Sequence, residues 1–169
     1  MQATKEIKDD LIEKTVQIRR VAKVVKGGRR FGFSAIVVVG DGKNRAAFGL
    51  GKANEISSAI KKAGKNARRK LKFYSSYKTT IPHEIVGRFC SGKVMMRPMP
   101  PGSGIIASLP VRAVIEALGI SDINVKSLRS NNPVNLVKAT FDGLSKLRTF
   151  EETAQFRGKS VESVSSIQY

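Results

Sequence analysis

Arg19-Arg20-Val21-Ala22-Lys23-Val24-Val25-Lys26-Gly27-Gly28-Arg29-Arg30-Phe31 decides how the first half of this chain is read. Paired glycines permit positive φ, so residues 26–30 form a loop, and the flanking segments 16–25 and 31–39 read as strands. The second segment is rich in aromatic and β-branched residues, which suit a pleated surface. Working outward, Gly40-Asp41-Gly42-Lys43-Asn44 is a hairpin turn and residues 45–50 are a third strand. A helix over about 54–71 follows from the apolar stripe Ile56, Ile60, Ala63, Ala67, Leu71, spaced by threes and fours. Ahead of the hairpin, Ile7, Leu11 and Ile12 form a short amphipathic pattern, read as a helix or an adapting tail. The predicted order is α-β-β-β-α.

The chain has 169 residues, with 31 Lys and Arg against 13 Asp and Glu, a formal net charge of +18 and a sequence pI near 10.5. Hydrophobic residues make up 41%, too many for a disordered basic tail and enough for a core. A small soluble domain normally carries a charge of about 2–8 in magnitude, so this one is suited to a polyanion. The charge is uneven. Residues 1–78 hold 20 cations and 6 acids, a net of +14, whereas residues 79–169 hold 11 and 7, a net of +4. The polar run Ser75-Ser76-Tyr77-Lys78-Thr79-Thr80-Ile81-Pro82 marks a boundary between them. The expected division is a tail over 1–14, a domain over 15–80, a second over 81–148 and a tail over 149–169.

In the second unit, residues 84–97 read as extended and Pro98-Met99-Pro100-Pro101-Gly102-Ser103-Gly104 as a loop. Residues 110–118 are a helix with Pro near its start and Gly119 just past its end. Residues 122–128 are a strand, Asn131-Asn132-Pro133 a turn, and 133–147 a helix with Val134, Val137, Phe141 and Leu144 on one stripe. The polar segment 149–169 has a weak helical pattern.

Catalytic and cofactor readings fail on residue chemistry. One cysteine, Cys90, and one histidine, His83, exclude a disulfide framework, a thiolate cluster and a multi-histidine metal site. Gly87-Arg88-Phe89-Cys90-Ser91-Gly92-Lys93 fits a phosphate-loop spacing, but Val94 stands where Ser or Thr should hold magnesium, and a strand follows where a helix is needed. Gly102-Ser103-Gly104-Ile105-Ile106-Ala107 fits a dinucleotide fingerprint but follows a proline loop. His83 reads as a linker residue and Cys90 as a small buried or half-buried strand filler. No apolar run is long enough for a membrane span, and the polar start fits neither a signal nor a transit peptide, so a cytoplasmic location is expected. No cofactor, metal, membrane or small-molecule substrate is expected.

The basic features carry the functional reading. The first hairpin places six cations, Arg19, Arg20, Lys23, Lys26, Arg29 and Arg30, in thirteen residues around Gly27 and Gly28. On the helix, Lys61, Lys65, Arg68 and Lys72 share one face, with Lys62 and Arg69 beside them. Lys43 and Lys52 add to the set. Such a stripe tracks phosphates. A membrane-surface helix would instead carry Phe, Leu or Trp on its apolar face. An α-β-β-β-α unit with a basic last helix follows the logic of double-stranded-RNA-binding domains, which read the shape of an A-form helix. A free double-stranded-RNA-binding regulatory protein is one reading of such a unit.

Several strings resemble the bacterial-type small-subunit ribosomal protein five family. They are Arg20-Val21-Ala22-Lys23-Val24-Val25-Lys26-Gly27-Gly28-Arg29, Val39-Gly40-Asp41-Gly42, Phe48-Gly49-Leu50-Gly51-Lys52-Ala53-Asn54-Glu55, Arg112-Ala113-Val114, Ser130-Asn131-Asn132-Pro133-Val134-Asn135 and Arg157-Gly158-Lys159-Ser160-Val161-Glu162, together with the loop at Gly102–Ala107. The resemblance implies an α+β fold: a double-stranded-RNA-binding-like domain followed by a small α/β domain with a βαβ crossover. It implies a non-enzymatic, ribosome-bound role, supporting subunit assembly and translational accuracy. The hairpin would meet small-subunit ribosomal RNA near the messenger RNA path, where changes alter the spectinomycin response. Partners implied are small-subunit proteins four and eight, with Gly104 and Arg112 at the interface with protein four. The chain departs from the family pattern at Pro101-Gly102-Ser103-Gly104, usually Glu-Gly-Thr-Gly, at Ser108-Leu109, usually two glycines, and at Ala22, often Ser.

Overall fold

The computed structural model describes residues 11–161 and 163. Two four-stranded sheets carry the architecture. The first has the order β1 (Ile12–Val25), β2 (Gly28–Gly40), β3 (Arg45–Ala53), β4 (Lys72–Phe73), all antiparallel, with α1 (Ile56–Arg68) between β3 and β4. The second has the order β5 (Ile85–Phe89), β6 (Gly92–Pro98), β8 (Ile123–Ser127), β7 (Ile105–Ile106). Within it β7 and β8 are parallel and joined through α2 (Leu109–Leu118), which is the βαβ crossover; α3 (Pro133–Ser145) and α4 (Phe150–Arg157) follow. The α+β architecture matches the sequence reading. Of the amphipathic pattern at the start, Ile7 lies outside the described residues, Leu11 precedes β1, and Ile12 is its first residue and not part of a helix.

The run Ala35-Ile36-Val37-Val38-Val39 is buried throughout because helices cover both faces of the first sheet. Ala35, Val37 and Val39 pack with Ala59, Ala63 and Ala67 of α1. Ile36 and Val38 turn to the other side and join the larger core with Val111, Val114, Ile115 and Leu118 of α2, together with Leu136 and Leu144 of α3. One core therefore spans the chain on both sides of the 75–82 boundary. Hydrogen bonds reinforce the junction: Gly42 N–H donates to Ala117 O and Asn44 N–H to Leu118 O, each at 3.0 Å. A Lys14–Glu116 ion pair crosses the same junction.

The buried face of α1 differs from the predicted one. Ala59, Ala63, Gly64 and Ala67 are buried, while Ile56 is exposed and Ile60 only partly covered. The cause lies in β3. A Cβ on Gly49 would stand 2.0 Å from Ala63 O, and one on Gly51 would stand 2.1 Å from Ala59 O. The helix backbone therefore rests directly on the strand, and only alanine fits between them. The helix also ends at Arg68, so Lys72 lies in β4 and not on the helix.

Local signals act as expected elsewhere. Pro110 sits in the first turn of α2, and Gly119 ends it in the left-handed region at φ 81°. Asn132 caps α3 by accepting from Val134 N–H. Thr149 and Glu152 form a reciprocal capping box, which is why the polar segment after 148 begins with a helix. Cys90 corrects the sequence reading. It is exposed at the β5–β6 turn with φ 50°. The phosphate-loop spacing around it is this hairpin turn.

Candidate nucleic-acid interface

The β1–β2 ladder outruns the rest of its sheet. β3 pairs with β2 only from Gly40↔Ala46 to Phe33↔Ala53, whereas β1 continues pairing with β2 from Val21↔Gly32 to Val25↔Gly28. The last five pairs form a two-stranded arm projecting roughly 16 Å beyond the sheet. Lys26-Gly27 is its two-residue tip, with Gly27 at φ 93°. A Cβ at Gly27 or Gly28 would meet nothing within 4 Å, so backbone conformation and not crowding demands glycine at the tip.

Arg19, Arg20, Lys23, Lys26, Arg29 and Arg30 are all exposed on or at the root of this arm. Among the described residues none of them has an acidic partner. Arg20 lies over the Phe31 ring at 3.8 Å, which stiffens the arm without consuming the cation's charge. Val24 and Phe31 are exposed beside these cations. A protruding two-stranded ribbon with one sign of charge and a few apolar side chains is shaped to enter a groove or a junction of a folded polyanion.

The remaining cations continue from the arm root. Lys52 stands opposite Ser34 in the ladder, and Lys61, Lys62 and Lys65 are exposed along α1, with exposed Arg69 just past its end. Arg68 is already engaged, its guanidinium meeting Glu13 Oε1 at 3.0 Å, so the helical stripe carries less free charge than its spacing implies. Lys43 lies in the β2–β3 turn, about 40 Å from the arm tip along the 13 residues of β2. It shares that end of the sheet with Lys72, which is exposed opposite Ala46. The cations thus form an arm, a helix row and a far-end group.

Lys70 and Lys138 were not singled out by sequence; both line a cavity between the first sheet and α3. Lys138 lies 68 residues beyond Lys70 in the sequence, so only the fold reveals its place.

Gly104 and Arg112 are brought together. Gly104 N–H donates to Asp122 Oδ1 at 2.9 Å, and Arg112 Nη2 donates to Ile105 O at 2.7 Å. Hydrogen bonds from the Gly104 backbone, the Thr79 side chain and the Gly102 and Ser103 backbone hold the Asp122 carboxyl below the usual carboxylate range, outweighing its desolvation. The glycine loop therefore cradles the chain's own carboxylate. His83 is not a free linker residue: it contacts Glu84 O through Nδ1, and its Nε2 accepts from Arg148 N–H at 3.3 Å.

The sequence profile described as ribosomal protein S5, N-terminal domain, matches residues 11–73, and that described as ribosomal protein S5, C-terminal domain, matches residues 87–157. The chain belongs to the ribosomal protein S5 family. The protein named small ribosomal subunit protein uS5 in Borreliella afzelii (strain PKo) is 51% identical over 153 residues, covering 90% of this chain and 93% of the relative. Its namesake in Syntrophobacter fumaroxidans (strain DSM 10017 / MPOB) is 52% identical over 154 residues, covering 91% and 93%. The S5 family profiles thus cover both the sheet bearing the arm and the sheet bearing Gly104 and Arg112. Among the described residues no three His, Cys, Asp or Glu side chains gather as metal ligands, and no helix is long and apolar enough to cross a membrane.

Proposed function

We propose that this chain is a non-enzymatic, structural constituent of the small ribosomal subunit that binds ribosomal RNA through its cationic arm and the exposed row on α1. The observation that carries the reading is the arm itself: six cations, without acidic partners among the described residues, on or at the root of a ribbon that extends past its own sheet. Each cation that meets a phosphate releases condensed counterions, and the ribbon's shape limits where those contacts form. In this reading residues 15–80 are the RNA-facing unit and 81–148 the unit facing small-subunit proteins four and eight, with Gly104 and Arg112 at the contact with protein four. The arm lies near the messenger RNA path and the decoding region, where it supports accuracy. The chain works in the cytoplasm, on the ribosome.

Density-gradient sedimentation of lysate tests the assignment. The chain should co-sediment with the small subunit at near-unit stoichiometry. A chain found mostly in light fractions would instead be a free RNA-binding regulator. Lys26→Ala, Arg29→Ala and Arg30→Ala together should reduce the fraction riding with the subunit or alter the spectinomycin response.

A further inference from the structure

Where α3 packs beside the first sheet, a cavity of about 400 Å³ remains open, within the range of small-ligand sites. Its walls are aromatic: Phe48, Tyr74, Phe89 and Phe141 all line it, with the Phe141 ring centroid 5.4 Å from Phe48 and 5.5 Å from Tyr74. Lys70, Lys72 and Lys138 also line it, and Lys138 Nζ stands over the Phe89 ring at 4.4 Å. Among the described residues that line it the one acid, Asp142, is already occupied. It accepts from Arg88 N–H at 2.9 Å and from Lys146 Nζ at 2.5 Å. Burial pushes its carboxyl up, but those two partners outweigh burial and hold it ionised. The Tyr74 hydroxyl makes no hydrogen bond among the described residues, and burial raises its pKa, so it stays a neutral donor.

π-faces with three lysines around them call for an occupant that is flat at one end and anionic at the other. Lys72 also belongs to the exposed cationic group at the far end of the sheet, so a nucleic-acid backbone following that group reaches the cavity. We propose that this cavity holds one unpaired nucleotide of an RNA chain, its base against the aromatic wall and its phosphate among Lys70, Lys72 and Lys138. Stacking on protein aromatics tolerates any base, so the site selects an unstacked nucleotide and not a sequence. It is a second RNA contact, about 40 Å from the arm tip, and rests on the RNA-binding reading above.

Ultraviolet crosslinking of the full chain to a ten-nucleotide oligouridylate, with adducts mapped by mass spectrometry, tests it. Adducts are expected on Tyr74 or Phe89, falling about fivefold or more in Lys138→Gln and in Phe89→Leu. If Phe89→Leu does not fold, as judged by circular dichroism, Lys138→Gln decides alone. Adducts confined to residues 19–33, or cavity adducts unchanged in Lys138→Gln, overturn the cavity assignment and leave the arm reading standing. Absence of any adduct and any binding overturns both. Displacement by equimolar uridine monophosphate shows a site for free nucleotides and overturns the RNA-chain assignment.

Discussion

Gly49→Ala adds one methyl group where α1 meets β3. The new Cβ would stand 2.0 Å from Ala63 O and 2.7 Å from Ala67 N, whereas ordinary contact begins near 3.4 Å. The helix must retreat by about 1.4 Å or the strand must bend. Two effects oppose each other. Alanine narrows the unfolded ensemble and stabilises by about 0.4–1 kcal/mol. Overpacking against backbone costs about 1–3 kcal/mol, and atoms this close place the cost at the upper end. The net expectation is a loss of about 2 kcal/mol, or a melting point lowered by about 4–8 °C for a chain of this length. Thermal unfolding followed by circular dichroism in moderate salt measures it. Ala63→Gly in the same chain should not restore stability, because the clash is with the Ala63 carbonyl and not its side chain. Melting of Gly49→Ala within about 1 °C of the parent, or rescue by Ala63→Gly, would refute direct backbone contact between helix and strand.

Two further outcomes follow from the geometry. Asp122 has its carboxyl pKa lowered by the Gly104 N–H and its neighbours, so its contribution is complete above the ordinary value of 3.8 and is lost as pH falls through the lower folded value. Asp122→Asn should therefore flatten the acid limb of a plot of stability against pH, and an unchanged limb would count against the cradle. Lys65→Ala should lower the salt dependence of RNA binding by about one phosphate contact, whereas Arg68→Ala, whose cation already faces Glu13, should change it less. Equal effects of the two substitutions would show that the ion pair opens on binding.

Local chemistry made much of this fold legible. Paired glycines announced the arm, Pro110 and Gly119 bracketed α2, and the apolar spacing of Val134, Val137, Phe141 and Leu144 gave α3. The α1 face was misread because periodicity weights isoleucine above alanine, whereas packing on Gly49 and Gly51 reverses that order. β1 begins earlier than expected, at Ile12, and bulges at Val16, and its exposed outer half carries no burial signal that would show how far the arm extends past β3. The two-residue β7 depends on parallel pairing with β8, which no local pattern encodes.

The candidate site divides in the same way. Its cations were countable from sequence, and all sixteen predicted RNA-binding positions are exposed or on the arm tip. Their grouping was not countable. Arg68 meets an acid 55 residues away, Lys43 stands at the opposite end from the tip, and Lys138 joins Lys70 and Lys72 only because α3 packs beside the first sheet. These are long-range consequences of folding. The cationic arm was visible as a string; the cavity was not.

The most direct measurement of the central claim is the salt dependence of binding to small-subunit ribosomal RNA, for the parent and for the Lys26→Ala, Arg29→Ala, Arg30→Ala chain. If the arm tip neutralises phosphates, the slope of log K against log salt should shrink by about two to three in the variant while its fold is retained. An unchanged slope with full affinity would contradict the account, placing the RNA contact elsewhere on the molecule.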